Sequence, residues 1–225
     1  GRGLVEPVDD LRDTNPASNG PLLGLLADTL RNSNYDLKAL IRFIATSHVY
    51  GLEVEASDRN RLDTRNYSRH YRRRLRAESL LDAISSITGV ADRFAASPPK
   101  SRAMDLWTLR SPSLFLDTFG RPDLNQDPPC ERVADTSVVQ ALHLLNAPTL
   151  QRKLTSKTGR VTELEKSALG PAEICTELYL ATYSRFPRPE EVESAMQRFA
   201  KTANRRHAIE DLLWALLNTP EFVFR

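Results

Sequence analysis

Apolar residues in this chain recur at intervals of three and four far more often than at two, and that periodicity is what most limits its possible folds. Spacings of three and four line up on one face of an α-helix, whereas a half-buried strand needs alternation. The expectation is an all-α fold, an irregular multi-helix bundle with long loops and little or no sheet. With 225 residues, 40% of them hydrophobic and 27% charged, there is enough apolar material for a real core. The chain reads as a single helical domain over 1–225, with a subdomain boundary near 94–111, where Ser97, Pro98 and Pro99 interrupt the pattern. It opens GRGLVEPVDD, with neither an initiator Met nor a cationic and apolar leader, and so reads as truncated at its N-terminus.

Local signals place the helices. Pro21 can open a first one, with Leu22, Leu23, Leu26 and Leu30 as a stripe, and Asp36 can cap a second, with Leu37, Leu40, Ile41, Ile44 and His48 along one face. The polar stretch 51–66 reads as an exposed loop. A third helix is expected from about 71 to 88, with Leu80, Leu81, Ile84 and Ile87 inward and Gly89 closing it. Two turns over 112–119 end at Gly120, and a short extended piece is expected around 104–109. Thr136 or Ser137 caps the next helix, with Val138, Leu142 and Leu145 taken as its inward face. Three closing helices span 171–185, 189–203 and 207–218, the last turning Ile209, Leu212, Leu213, Leu216 and Leu217 inward, with Phe222 and Phe224 folding back.

Several function classes fall away on composition. Lys and Arg number 31 against 29 Asp and Glu, and a net charge of +2 gives no general affinity for nucleic acid. The longest apolar runs, 138–145 and 212–217, are far below the roughly 20 residues that span a bilayer, so no membrane span is expected. Cys130 and Cys175 form no paired-Cys metal motif, and are either one disulfide or, the favoured reading, two buried thiols. The sequence contains no HExxH, no Gly-rich phosphate loop, no CxxCH and no GxSxG, and His48, His70, His143 and His207 have no metal-ligand spacing. Neither a metal nor any other cofactor is expected in this chain.

Three polar clusters remain. Residues 69–76 carry five arginines, with Glu78 close behind. They could form a phosphate-binding patch, a bidentate clamp for a carboxylated or sulfated sugar, or, the favoured reading, a set of surface cations paired with Glu78, Asp82, Asp9 and Asp10. The second cluster is Cys130, Glu131 and Arg132, followed by Asp135, Gln140, His143 and Asn146. Gln140 and His143 lie three apart on neighbouring helix surface, while Glu131 would raise and Arg132 lower the thiol pKa, so no activated nucleophile emerges. The third is Asp9, Asp10 and Arg12, adjacent acids that suit a cap or ion pair better than paired catalysis. Together they nominate a candidate polar site of Asp10, Arg12, Arg74, Arg76, Glu78, Cys130, Glu131, Arg132, Gln140 and His143. Convergence of Asp10, Arg74, Arg76, Glu131, Arg132 and Gln140 in one concave pocket would favour a ligand-binding or catalytic role, and scatter, with the arginines individually paired to acids, would favour a scaffold.

Seven segments carry a family resemblance: GRGLVEPVDDLRDTNPASN at 1, YDLKALIRFIATSHVY at 35, RRRLRAESLLDAI at 72, FLDTFGRP at 115, CERVADTSVVQALHLLNAP at 130, LYLATYSRFPRPEEV at 178 and DLLWALLNTPEFVF at 211. In this order they resemble domain of unknown function 1553 from end to end. Members are typically C-terminal domains of large planctomycete proteins with an upstream partner domain and often a cytochrome c type haem domain. The resemblance therefore implies an extracytoplasmic location, periplasmic or at the cell surface. Haem c is expected elsewhere in the parent and not in this chain. The implied partners are the upstream domain of the same polypeptide, a cytochrome c domain and an anionic glycan. Members often carry a further Cys two residues before the CER segment, where this chain has Pro128, and they continue upstream with an Asn-, Arg- and Trp-containing helix. The family brings no established activity. The expectation is a helical accessory or interaction module of a larger exported, cytochrome-associated protein. The alternative is part of an enzyme acting on complex polysaccharide and passing electrons to haem, its site completed by upstream residues.

Overall fold

Capping chemistry sets most of the helix starts in the computed structural model, which describes residues 2–7, 10–95, 97–108, 110–122 and 137–224. Asn19 Oδ1 accepts from Leu22 N at 3.0 Å to start α1, Gly20–Asn32. Asp36 accepts from Lys38 N and Ala39 N at 2.9 and 3.0 Å to start α2, Leu37–Ala45. Helix α3, Ala77–Thr88, ends at Gly89, whose φ of +71° is the left-handed conformation glycine adopts without strain. After a short 3-10 turn, Ala103–Asp105, Ser113 caps α4, Leu114–Thr118. Ser137 and Gln140 cap α5, Val138–Asn146, reciprocally, each side chain bonding the other's backbone N–H. There follow α6, Pro148–Leu154; α7, Arg160–Lys166; α8, Pro171–Tyr183; α9, Pro189–Lys201; α10, Arg205–Leu217; and α11, Pro220–Val223. The fold is all-α. Among the described residues the one sheet-like pairing is a single antiparallel bridge between Arg74 and Phe224, beside which Leu75 N donates to Val223 O at 2.9 Å.

The chain divides into two compact units, Gly1–Arg73 and Arg74–Arg225. In the first, α1 packs on α2 and the polar 51–66 stretch runs as turns. Asp63 organises that loop: its carboxylate accepts from Ser68 Oγ and from the backbone N–H groups of Arg65 and Asn66, which together pull its pKa down to about 2. The second unit holds one continuous apolar core running from Ala77 to Val223. Helix α10 is its hub, touching α6, α7, α8, α9 and α11, and Ile209, Leu213 and Leu217 on its inner face are fully buried. Phe222 is buried and Phe224 packs against the same core, as the folding back of the C-terminal segment requires. The 94–111 segment lies within this unit.

Some local expectations need correction. The helix expected from 71 starts at Ala77; residues 71–76 are not helical, with Arg74 in a bridge and Arg76 extended. Helical winding would set Arg72 over Arg76 and point cations at the positive end of the helix dipole, whereas the non-helical form gains the bridge to Phe224. On α5 the expected inward residues Val138, Leu142 and Leu145 are exposed, and Gln140 and Leu144 are buried instead. Both sets share the i, i+4 spacing, and Gln140 turns inward because its amide finds Thr118 O. The piece around 104–109 is not extended at its start but begins in the 3-10 turn.

Candidate functional site

Helix α4 is only five residues long; backbone N–H groups of Phe119, Gly120 and Arg121 serve the carbonyls of Phe115, Asp117 and Leu116, which leaves those of Thr118 and Phe119 to other donors. Two of the nominated side chains supply them. Gln140 Nε2 donates to Thr118 O at 3.1 Å, and Arg74 Nη1 donates to Phe119 O at 2.9 Å, where a cation also complements the helix dipole. The Arg74 guanidinium lies 5.6 Å from the centre of the Phe119 ring, which stacks on Phe115 at 4.4 Å. His143 meets the same two rings edge-on, at 5.6 and 6.0 Å. Burial lowers the pKa of both Arg74 and His143. His143 Nε2 is shut off from solvent and has no hydrogen-bond partner among the described residues.

Arg74, Gln140 and His143 thus gather around one aromatic pair but open onto different hollows. Arg74 and Gln140 line a pocket of about 210 Å³ with Leu144 and Phe224. His143 lines a larger cleft of about 700 Å³ beside α3, α4 and α6. Arg76 and the buried Glu78 line a third, about 150 Å³, with Arg121, which is itself ion-paired to Asp117 at 2.7 Å. Asp10 and Arg12 belong to the first unit and pair with each other at 2.6 Å, which holds the Asp10 carboxyl below its usual range. Cys130, Glu131 and Arg132 lie outside the described residues, as do Asp9 and Asp135. Elsewhere in the arginine run, Arg73 pairs with Glu6 at 2.5 Å, and Arg69 donates to Val54 O and lies over the Tyr71 ring. Asp82 serves the backbone N–H groups of Ala103 and Met104 instead of an arginine.

One cluster escaped sequence reasoning. Lys153, with its side chain 6% exposed, donates to Val90 O at 2.5 Å, to Asp92 Oδ2 at 3.0 Å and to Ser85 Oγ at 3.1 Å. A Lys–Ser contact at that distance could suggest an activated hydroxyl. Here all three ammonium hydrogens have acceptors and a carboxylate holds the charge, so Lys153 has no lone pair to offer Ser85. The cluster ties α6 to the end of α3 and to the segment after it. Its trace in the sequence is a lysine on the buried stripe between Leu150 and Leu154.

A second clasp closes the C-terminal helices. Arg185 makes two-pronged contacts with Glu191 and Glu221 and lies 5.4 and 5.3 Å from the Tyr179 and Tyr183 ring centres. Bonding from Arg185, helped by the Arg188 N–H, pulls Glu191 down to about 2 from an ordinary 4.5. A depressed carboxylate stabilises the fold above its unfolded pKa and loses that contribution as pH falls towards the folded value. Stability of the second unit is therefore expected to drop between about pH 4.5 and 2, and Glu191→Gln should flatten that limb in thermal melts taken across the range. Nearby, Cys175 is a free, buried thiol, raised to about 11 by burial and by Glu191, which makes it a poor nucleophile.

Among the described residues no group of three or more His, Cys, Asp or Glu is arranged to hold a metal, and no helix is long and apolar enough to cross a membrane. No curated protein and no solved structure matches the chain. A family model does: the one described as "Protein of unknown function (DUF1553)" matches residues 1–199, and the chain belongs to that family.

Proposed function

We propose that the chain is a helical interaction module of a larger exported protein, and that its first unit docks on the upstream domain of the same polypeptide through the apolar face of α1 and α2. The observation that carries this reading is that neither helix buries a single residue. Leu37 is 61% and Ile41 64% exposed, with Phe43 and Ile44 also open on α2 and Val49 and Tyr50 just beyond it. An amphipathic helix draws most of its stability from covering its apolar face, and an apolar surface left open is the usual mark of a docking site. The mode is a helix laid into an apolar groove, read by side chains at i, i+4 and i+7 such as Leu37, Ile41 and Ile44. A cytochrome c domain and an anionic glycan are further neighbours under this reading, which needs no catalytic group in the chain.

The test is calorimetric titration of this chain with the separately produced upstream domain. The Ile41→Asp, Ile44→Asp pair is expected to weaken association at least about a hundredfold, since each buried isoleucine contributes about 1.5–3 kcal/mol. Far-UV circular dichroism should stay unchanged, because both side chains are exposed in the free chain. Undiminished binding by the double variant, or no association of the wild-type pair, would overturn the proposal.

A further inference from the structure

The cleft of about 700 Å³ beside α3, α4 and α6 falls in the size range of small-molecule sites. Its walls are mostly apolar, with Leu81, Ile84, Phe94, Phe115 and Leu150 among them. Two guanidiniums, Arg93 and Arg152, also line it. Among the described residues Arg152 Nε reaches only a carbonyl of its own helix, Pro148 O at 3.3 Å. Neither arginine has a carboxylate partner among the described residues, whereas Arg121, Arg185 and Arg206 are all ion-paired. The remaining charges of the cleft cancel: Lys153 and Asp92 sit 3.0 Å apart. Arg93 and Arg152 therefore set its sign. His143 lines the same wall, its imidazole edge-on to the Phe115 ring at 5.6 Å.

We propose that this cleft binds a small organic anion, an apolar ring or chain carrying a carboxylate or sulfate group, with Arg93 and Arg152 engaging the charge and the Phe94 and Phe115 walls covering the apolar body. Guanidinium forks match planar and tetrahedral oxyanions, and at an exposed rim they gain by pairing without the cost of prior burial. The apolar walls add affinity that a bare anion such as acetate cannot collect. This inference concerns the second unit alone and stands apart from docking through the first.

The experiment is a heteronuclear NMR titration of the full chain with 2-naphthoate, 2-naphthalenemethanol and acetate as probes. Naphthoate is expected to shift the amides of Asp92, Arg93, Phe94, Leu114, Phe115 and Arg152. The neutral alcohol and acetate should each bind at least about tenfold more weakly, and the Arg93→Gln, Arg152→Gln variant should bind naphthoate about tenfold more weakly. Both arginines are exposed, so the variant keeps its fold, and its own amide spectrum checks that. No shift at those amides with naphthoate, equal binding of the alcohol, or unchanged affinity in the double variant would each overturn the proposal.

Discussion

Lys153→Met should destabilise the second unit by about 4 kcal/mol, because removing one partner of a buried ion pair leaves the other uncompensated. The ammonium is the hydrogen-bond donor to three groups at once, Val90 O, Asp92 and Ser85, and Met fills the space without replacing any of them. Asp92 retains some solvent contact at 24% exposure, which keeps the loss below the extreme for a sealed carboxylate. Urea unfolding followed by circular dichroism gives the number. Adding Asp92→Asn to Lys153→Met should restore about 1–2 kcal/mol by neutralising the stranded charge. A single variant as stable as wild type would mean that the three contacts contribute nothing net.

Leu213→Ala is expected to cost about 3–4 kcal/mol, through lost transfer energy and the cavity left in the apolar core. Its side chain is fully buried on the helix to which most of the second unit's other helices are attached. Leu142→Ala on α5 is the matched control. Leu142 is 53% exposed, and its removal should change stability by less than about 0.5 kcal/mol. Both leucines stand in helical stripes of the same spacing, so a similar loss at the two sites would contradict the burial that separates them.

That pair also shows how far the sequence could be read. Helix type and most caps followed from local chemistry: Asp36, Ser137 and Gly89 act where their side chains, or the lack of one, demand it. The inner face of α10 was legible because five aliphatic residues leave little doubt about which side is apolar. On α5 it was not, since the polar Gln140 turns in only because a distant carbonyl, Thr118 O, lies there to receive it. The start of α3 failed for a similar reason: Arg74 is held out of the helix by its bridge to Phe224, some 150 residues downstream. Of the candidate polar residues, Arg74, Gln140 and His143 meet around the Phe115 and Phe119 rings, and Arg76 and Glu78 share a neighbouring hollow. Spacing could suggest that Gln140 and His143 share a helix surface, but not that an aromatic pair would part them into different hollows. The Lys153 cluster was invisible because its partners come from separate stretches of chain, joined only by folding.

The bridge between Arg74 and Phe224, with its companion bond from Leu75 to Val223, brings the first described residues of the second unit against its last described ones. A folded body whose entrance and exit coincide can be spliced into a host polypeptide with little disturbance on either side. By the same geometry its ends could be tied with a short linker and new ones cut in a surface turn, giving a permuted chain with the same interior.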